Sequence, residues 1–425
     1  MRACLYEDRT EFFEPLSLTR PVFDLRCGLA PMSERLWQYF GATERGCLVR
    51  PHLAEVFAQQ NKNLAVNDWN WLSQGPTVLV NGLWLPPDEP TATDAGPCVG
   101  LVGDEIAYVL AGREQLEQVN AETFEQALAD WKQTLPRRPA GGHIVHFPWE
   151  LVDHNGAQIG RDLAGPRGDD FDVLMAPPPL ALIGPPDRLR LHPSARIEPF
   201  VTADVSRGPI VIDEGAIIAS FTRLEGPCYI GAHTQIFGAK IRAGTTLGPH
   251  CRIGGEVECA IVHGHSNKYH DGFLGHAYVG EWVNLGAGTS NSDLRSDYGP
   301  VSVVIQRQLI ATGRTKVGCF LGDHVKTGLG TLINTGSNVG AFSNLFPAGR
   351  FAPKVVPPFT NWLHGNLTEG FALEALLATA QEMMRRRQCE LTEAHRRLYT
   401  HLFAETAVDR QRVLREARQR QARIA

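Results

Sequence analysis

The stretch CYIGAHTQIFGAKIRAGTTLGPHCRIGG, residues 228–255, decides the fold. An aliphatic residue followed by a small one returns at Ile230-Gly231, Ile236, Leu247-Gly248 and Ile253-Gly254, in steps of six or near-multiples of six. The pattern continues at Val279-Gly280, Leu285-Gly286, Val317-Gly318, Leu321-Gly322, Thr327-Gly328, Ile333-Asn334 and Val339-Gly340. A hexapeptide period means a short strand and a turn, with one aliphatic side chain entering the core per strand and Gly or Asn where φ is positive. Three such strands close a triangular coil, and stacked coils bury a column of Ile, Leu and Val. A β-sandwich would alternate at period two instead. The stretch predicts a parallel β-helix over residues 185–360.

Outward from it, glycine divides the chain. Residues 208–349 hold 24 of the 42 glycines, whereas the 55 residues from Phe371 onward hold no Gly and no Pro. Residues 1–180 mix apolar runs such as TVLVNGLWL and IAYVLAG with helical stretches such as ETFEQALADWKQTL, which predicts an α/β domain. It ends at the Pro-rich APPPLALIGPP, residues 176–186. Residues 366–425 form a helical tail, with apolar positions at Phe371, Leu373, Leu376, Leu377, Leu398, Leu402 and Phe403. From Arg385 the tail carries 11 Arg against 5 acidic residues, including the run Arg385-Arg386-Arg387. Its interspersed Glu favours an amphipathic tail packed on the β-helix or a neighbouring subunit over one that touches nucleic acid.

A formal charge of -5 argues against a general nucleic-acid binder. No run of 18 apolar residues marks a membrane span, and the charged MRACLYEDRT does not read as a secretion signal, so a cytoplasmic location is expected. The nine Cys contain no C-x-x-C pair and read as small buried thiols rather than disulfides or a zinc knot.

The informative residues are those that break the repeat. The longest polar break, HGHSNKYHDGFLGHAYVGEWVNLGAGTSNSDLRSDYG at residues 263–299, holds four His, a Lys, and several Asn and Asp. No carboxylate or thiol stands at a regular zinc-ligand spacing there, so His as a proton acceptor is the stronger reading. Acyl transfer to a sugar amine needs that acceptor and a backbone N–H for the oxyanion. Glycines beside Ala287 would let a thioester approach closely.

AKIRAGTTLGPHCRIGGEVE (239–258) and HDGFLGHAYVGEWVNLGAGT (270–289) resemble, in order and spacing, the acyltransferase half of bacterial bifunctional UDP-N-acetylglucosamine pyrophosphorylase/glucosamine-1-phosphate N-acetyltransferases. The resemblance is to the divergent branch with a shortened nucleotidyltransferase half, and it covers most of residues 225–360. It implies a left-handed β-helix and a homotrimer with sites between subunits. His270 falls at the general base, Glu258 at the carboxylate that orients it, and Ala287 at the N–H facing the tetrahedral intermediate. Arg242 matches a sugar-phosphate arginine and Asn284 a sugar-contacting amide. Two positions depart: the phosphate-binding lysine is Ala260 and the sugar-site tyrosine is Phe273. Lys268 or Arg295 is the expected replacement cation.

EPLSLTRPVFDLRCGLAPMSERLW (14–37) resembles the start of sugar-phosphate nucleotidyltransferases, whose Gly-rich loop cradles triphosphate. Here the glycines are missing, the usual lysine is Val22, and the Mg²⁺-holding Asp after the N-G of VLVNGLW is Leu83. Arg20, Asp24, Arg26 and Asn81 are the expected nucleotide-binding residues. Asp153 and Asn155, in the D-H-N-G of residues 153–156, read better as a turn.

The resemblance implies a transferase using acetyl-CoA, glucosamine 1-phosphate, UTP and Mg²⁺ to make UDP-N-acetylglucosamine and pyrophosphate. Two alternatives stand beside it: a single activity on another sugar phosphate, with the other site dead, or a non-catalytic hexapeptide-repeat nucleotide-sugar sensor or scaffold.

Overall fold

The computed structural model describes residues 1–89, 96–165, 168, 171–173, 180–347 and 349–422. Two compact units divide the chain: Met1–Thr10, Arg20–Arg26 and Ala30–His146 form one, and Glu11–Thr19, Cys27–Leu29 and Phe147–Ala425 the other. The Pro-rich boundary at 176–179 lies outside the described residues.

The first unit is α/β. Its seven-stranded mixed sheet runs in the order Arg137–Pro139, Cys98–Val102, Glu105–Ala111, Thr77–Asn81, Arg2–Tyr6, Glu44–Leu48 and Ala65–Val66. Arg2–Tyr6 pairs in parallel with both Glu44–Leu48 and Thr77–Asn81. These strands read as apolar runs because helices cover parallel strands, and all five residues of Thr77–Asn81 are buried. Helices Met32–Tyr39, Pro51–Gln60 and Phe124–Thr134 turn buried faces inward. A crevice at the carboxyl ends of such strands is where α/β sheets bind ligands.

The second unit is a parallel β-helix. On one face, the register stacks Ile212, Ile230, Leu247, Val262, Val279, Leu321, Val339 and Val356 through successive coils. A second face stacks Ile197, Ile218, Ile236 and Ile253, and then Lys268 takes the inward position. On the third, Ala203, Leu224, Ile241, Val257 and Leu274 stack, and the buried Asn291 stands one coil below. The aliphatic column therefore turns polar at the coils that carry the sequence motif. Between Val279 and its partner Leu321 the chain makes a long excursion containing the antiparallel hairpin Ser302–Ile305/Gln308–Ala311.

One corner is a ladder of rings in the left-handed φ region: His233, His250, His265, Trp282, His324, Phe342 and Phe359, with φ between 52° and 61°. Successive ring centroids lie 4.4–6.3 Å apart. The tail helices Leu373–Arg385, Glu393–Glu405 and Ala407–Ala422 belong to this unit. Tyr399 meets His324 and Phe342, and Phe403 meets Phe359, so the tail packs on the ladder as its amphipathic pattern predicts.

Helix Pro148–Ala164 also belongs to the β-helix unit and runs straight through Asp153–Gly156, where the sequence predicts a turn. The turn preference is overridden by packing. Asn155, fully buried, accepts from the Gly28 N–H at 2.7 Å and Thr246 Oγ1 at 3.0 Å, and donates to the Gly244 carbonyl at 2.9 Å. Its amide is thus a structural tie; Asp153, for its part, pairs with Arg314 at 2.9 Å. Seven cysteines are buried, and Cys259 and Cys389 are half-buried; all nine are free thiols. Among the described residues no helix is long and apolar enough to cross a membrane.

Candidate functional site

His270 lies in the turn between the strands Asn267–Lys268 and Phe273–Gly275, with its side chain exposed. Ala287 lies in the equivalent turn one coil further, between Asn284–Leu285 and Ser290–Asn291. The Gly288 N–H donates to the Asp271 carbonyl at 2.9 Å, which fixes one turn on the other. Adjacent coils are separated by the spacing of paired strands, about 4.8 Å. Gly272, with φ +134°, has no room for a side chain, because a Cβ there would strike the Thr289 carbonyl. Around Ala287, the Gly286 N–H bonds to Thr327 and that of Gly288 to Asp271, while the Ala287 N–H has no partner among the described residues. An exposed imidazole and an unclaimed N–H therefore share one corner of the solenoid.

Lys268 holds this corner from inside. Occupying an aliphatic position in the column, its Nζ donates to the carbonyls of Gly254 at 2.9 Å and His270 at 3.0 Å. Burial pushes its pKa down to about 8. It is 4% exposed, and its contacts tie the His270 turn to the core rather than reach toward a ligand.

Glu258 and Arg242 lie on the adjoining face. Arg242 has three carboxylates around it, Glu256 at 3.1 Å and Glu225 and Glu258 at 3.8 Å. Glu258 also meets Lys316 at 3.4 Å; among the described residues it makes no hydrogen bond with His270. Beside Glu258 stand Cys259, His276 and Asp293, at equal steps of 17 residues and hence on successive coils. His276 Nδ1 meets Asp293 at 2.8 Å, and Cys259 lies against the same ring. Burial alone would lower the His276 pKa, but Asp293 and Cys259 hold its proton and raise it to about 9. Sequence reasoning missed Lys316, Cys259, His276 and Asp293; the 17-residue spacing was the available signal. Phe273 is half-buried, with its N–H on Ser290 Oγ at 3.1 Å. Arg295 is exposed on the excursion and paired with Asp297. Asn284 lies on a different face, accepting from Asn267 at 3.2 Å and lining a cavity with residues of the tail.

In the α/β unit, the carboxyl end of Arg2–Tyr6 runs into Glu7. That carboxylate accepts the Val22 N–H at 3.1 Å and the Arg50 N–H at 2.8 Å, and it pairs with the Arg50 guanidinium at 3.1 Å. A carboxylate thus answers backbone donors of the kind a glycine-rich loop offers to phosphate. The stretch that replaces that loop, Glu11–Thr19, is built into the β-helix unit, where Thr19 Oγ1 donates to Asp323 at 2.7 Å. Arg20 and Asp24 pair with each other at 3.1 Å. Arg26 is half-buried in the short strand Arg26–Cys27. Asn81, 2% exposed, donates to Asp8 at 3.0 Å and the Ile106 carbonyl at 3.1 Å, and accepts from the Leu83 N–H at 3.0 Å. Leu83 is fully buried. Glu105 pairs with Arg9 and with His146, the latter at 2.7 Å. Asp8 has no cation partner among the described residues, so this half-buried oxygen donor, which sequence reasoning missed, fits a Mg²⁺ ion that takes one or two carboxylates plus phosphate oxygens.

A family model for sugar nucleotidyl transferases matches residues 3–167. The bifunctional sugar-1-phosphate nucleotidylyltransferase/acetyltransferase of Sulfurisphaera tokodaii is 36% identical over 144 residues, covering 33% of this chain and 36% of that protein. The bifunctional protein GlmU of Methanocaldococcus jannaschii is 32% identical over 158 residues, covering 36% of this chain and 38% of that protein. The chain therefore spans little more than a third of these two relatives. An uncharacterized acetyltransferase, YaiX of Escherichia coli, is 31% identical over 157 residues, with 36% of this chain covering 68% of it. With an α/β nucleotidyltransferase unit joined to a parallel β-helix, this transferase belongs to the GlmU-like bifunctional nucleotidyltransferase/acetyltransferase family.

Proposed function

We propose that the β-helix transfers acetyl from acetyl-CoA to the amine of glucosamine 1-phosphate, and that the α/β unit joins the product to UTP, releasing pyrophosphate and UDP-N-acetylglucosamine. The observation that carries the first half is the pair of stacked turns, which put the His270 imidazole and the Ala287 N–H one coil apart. His270 takes the proton of the sugar ammonium, the freed amine attacks the thioester carbonyl, and the Ala287 N–H donates to the oxyanion before CoA leaves as the thiol. Lys268 positions His270. Arg242 and Lys316 are the cations nearest Glu258, and Lys316 stands in for the lysine lost at Ala260.

Arg242 and Glu258 lie on one face of the solenoid and Asn284 on another. A single chain leaves these groups apart, and a second copy docked on that corner would close the site, which favours a homotrimer. In the α/β unit Asp8 would hold Mg²⁺, which supplies neutralisation of the phosphate charge. Asn81 orients Asp8, and the Arg20–Asp24 pair lies on the same segment as Val22.

The test is incubation of the full chain with acetyl-CoA, UTP, Mg²⁺ and a panel of sugar 1-phosphates, following thiol and pyrophosphate separately. Thiol release with an amino-sugar phosphate is expected, and its absence throughout the panel overturns the acetyl-transfer half. Pyrophosphate release without Mg²⁺ dependence, or none, overturns the nucleotidyl half. Sedimentation as a monomer counts against the shared site.

A further inference from the structure

The tail arginines close a cavity that the acetyl-transfer reading does not use. Between helix Leu373–Arg385, the turn that follows it and one face of the β-helix lies a space of about 310 Å³, lined by Arg252, Lys326, Arg386 and Arg387 together with Trp282, His265 and two asparagines. No carboxylate lines it. Of these residues, only Asn284 is also assigned to the acceptor site by resemblance.

Four cations facing one small space repel one another unless something anionic sits among them. Here the protein supplies nothing. Arg387 bonds to neutral groups, the His250 carbonyl at 2.8 Å and Asn267 Oδ1 at 2.6 Å. Lys326 donates to the His324 carbonyl at 3.1 Å, and burial pushes its pKa down to about 8. The buried Nε of Arg252 has no hydrogen-bond partner, and neither Arg252 nor Arg386 is paired with a carboxylate among the described residues. Burial lowers the Arg387 pKa, and Arg252 opposite adds to the effect. A surface basic patch would be neutralised by solvent and salt, but a cavity roofed by a helix is screened much less.

We infer that this cavity binds the phosphoryl group of a small metabolite, gripped by Arg252, Lys326, Arg386 and Arg387 and flanked by the Trp282 ring. Guanidinium forks match phosphate oxygens in pairs, which explains arginine at three of the four positions. Trp282 and His265, stacked at 4.4 Å, form an aromatic wall against which a base or other flat group can lie. The size of the space suits a compact ligand rather than a nucleic-acid strand. The basic run of the tail is thereby given a ligand on its own solenoid.

The experiment measures binding, not turnover, so it stands apart from the acetyl-transfer assay. Titration calorimetry of the full chain is run with inorganic pyrophosphate, UTP and CoA, and repeated on Arg252→Gln, Arg386→Gln and, as a control of equal charge, the exposed Arg207→Gln. At least one of the three probes is expected to bind, about tenfold more weakly in each cavity variant and unchanged in Arg207→Gln. Equal affinity for pyrophosphate and UTP assigns recognition to the phosphoryl group alone. Tighter binding of UTP or CoA adds the aromatic wall. Arg386 is exposed, so its variant keeps the fold and the test decisive even if Arg252→Gln unfolds. Binding of none of the probes, equal weakening in Arg207→Gln, or arginine-dependent binding only of single-stranded RNA overturns the inference.

Discussion

At the strand ends of the α/β unit, charge answers charge: Glu7 meets Arg50, Arg20 meets Asp24, and Glu105 meets Arg9 and His146. In the β-helix the situation is reversed, for the Ala287 N–H has no partner and four cations around Trp282 face no carboxylate. Closed pairs lower the cost of burying charge without a ligand. Unanswered donors keep that cost until a ligand arrives, so the contrast locates where the molecule is prepared to bind. In the α/β unit only Asp8 breaks the pattern of closure, and on this argument that unit depends on one metal-holding carboxylate more than on its cations.

The strongest way to break the comparison is His270→Ala. Loss of the unpartnered imidazole is expected to slow thiol release from acetyl-CoA by about a hundredfold or more while pyrophosphate release is unchanged. Equal thiol-release rates would remove His270 from the reaction. Asp8→Asn is the corresponding strike at the other unit, with Mg²⁺-dependent pyrophosphate release falling on the order of a hundredfold. Arg20→Ala, whose charge is already held by Asp24, should cost less than about tenfold; the opposite ranking of these two variants refutes the closed-pair argument.

A finer cut comes from Lys268→Met. Replacing a buried ammonium by an apolar side chain of similar length is expected to leave stability within about 1 kcal/mol or raise it, while acetyl transfer drops about tenfold because the His270 turn is loosened. Urea denaturation beside a kcat measurement separates the two, and parallel losses would reduce Lys268 to a structural residue. The smallest effect concerns His276. Its pKa is raised to about 9 in the fold against about 6.5 unfolded, so its contribution is complete below pH 6.5 and lost as pH rises through 9. Asp293, held below its ordinary value, stays ionised throughout that window. Unfolding free energy should therefore fall by on the order of 2 kcal/mol from pH 6.5 to 9.5, and Asp293→Asn should flatten that slope.

The β-helix was legible because its signal is periodic, and one inward Ile or Leu per hexad can be counted along the chain. The tail's packing was legible for the same reason, from its apolar faces. Asp153–Gly156 were misleading because a good local turn lost to Asn155, whose three bonds lie far away in sequence. Lys268 was read as a phosphate ligand because sequence shows a lysine near the motif but not that it points into the column. Asn284 and Arg242 sit in one motif block, yet the triangular cross-section sends them to different faces. The row Cys259, His276 and Asp293 needed the coil length, which the hexad count gives only approximately.

That coil length has a consequence for how the protein can change. Val262 pairs with Val279, a step of 279 − 262 = 17, whereas Val279 pairs with Leu321, a step of 321 − 279 = 42. The extra 42 − 17 = 25 residues leave the coil and return without shifting the ladder. Deleting a single residue inside a coil would instead turn every side chain beyond it to the wrong face. The reading frame of the solenoid is therefore rigid, and innovation is confined to its excursions, one of which delivers Lys316 to Glu258. Preference for a new acceptor can arise there by lengthening or exchanging a loop, with the frame that carries His270 and Ala287 inherited unchanged.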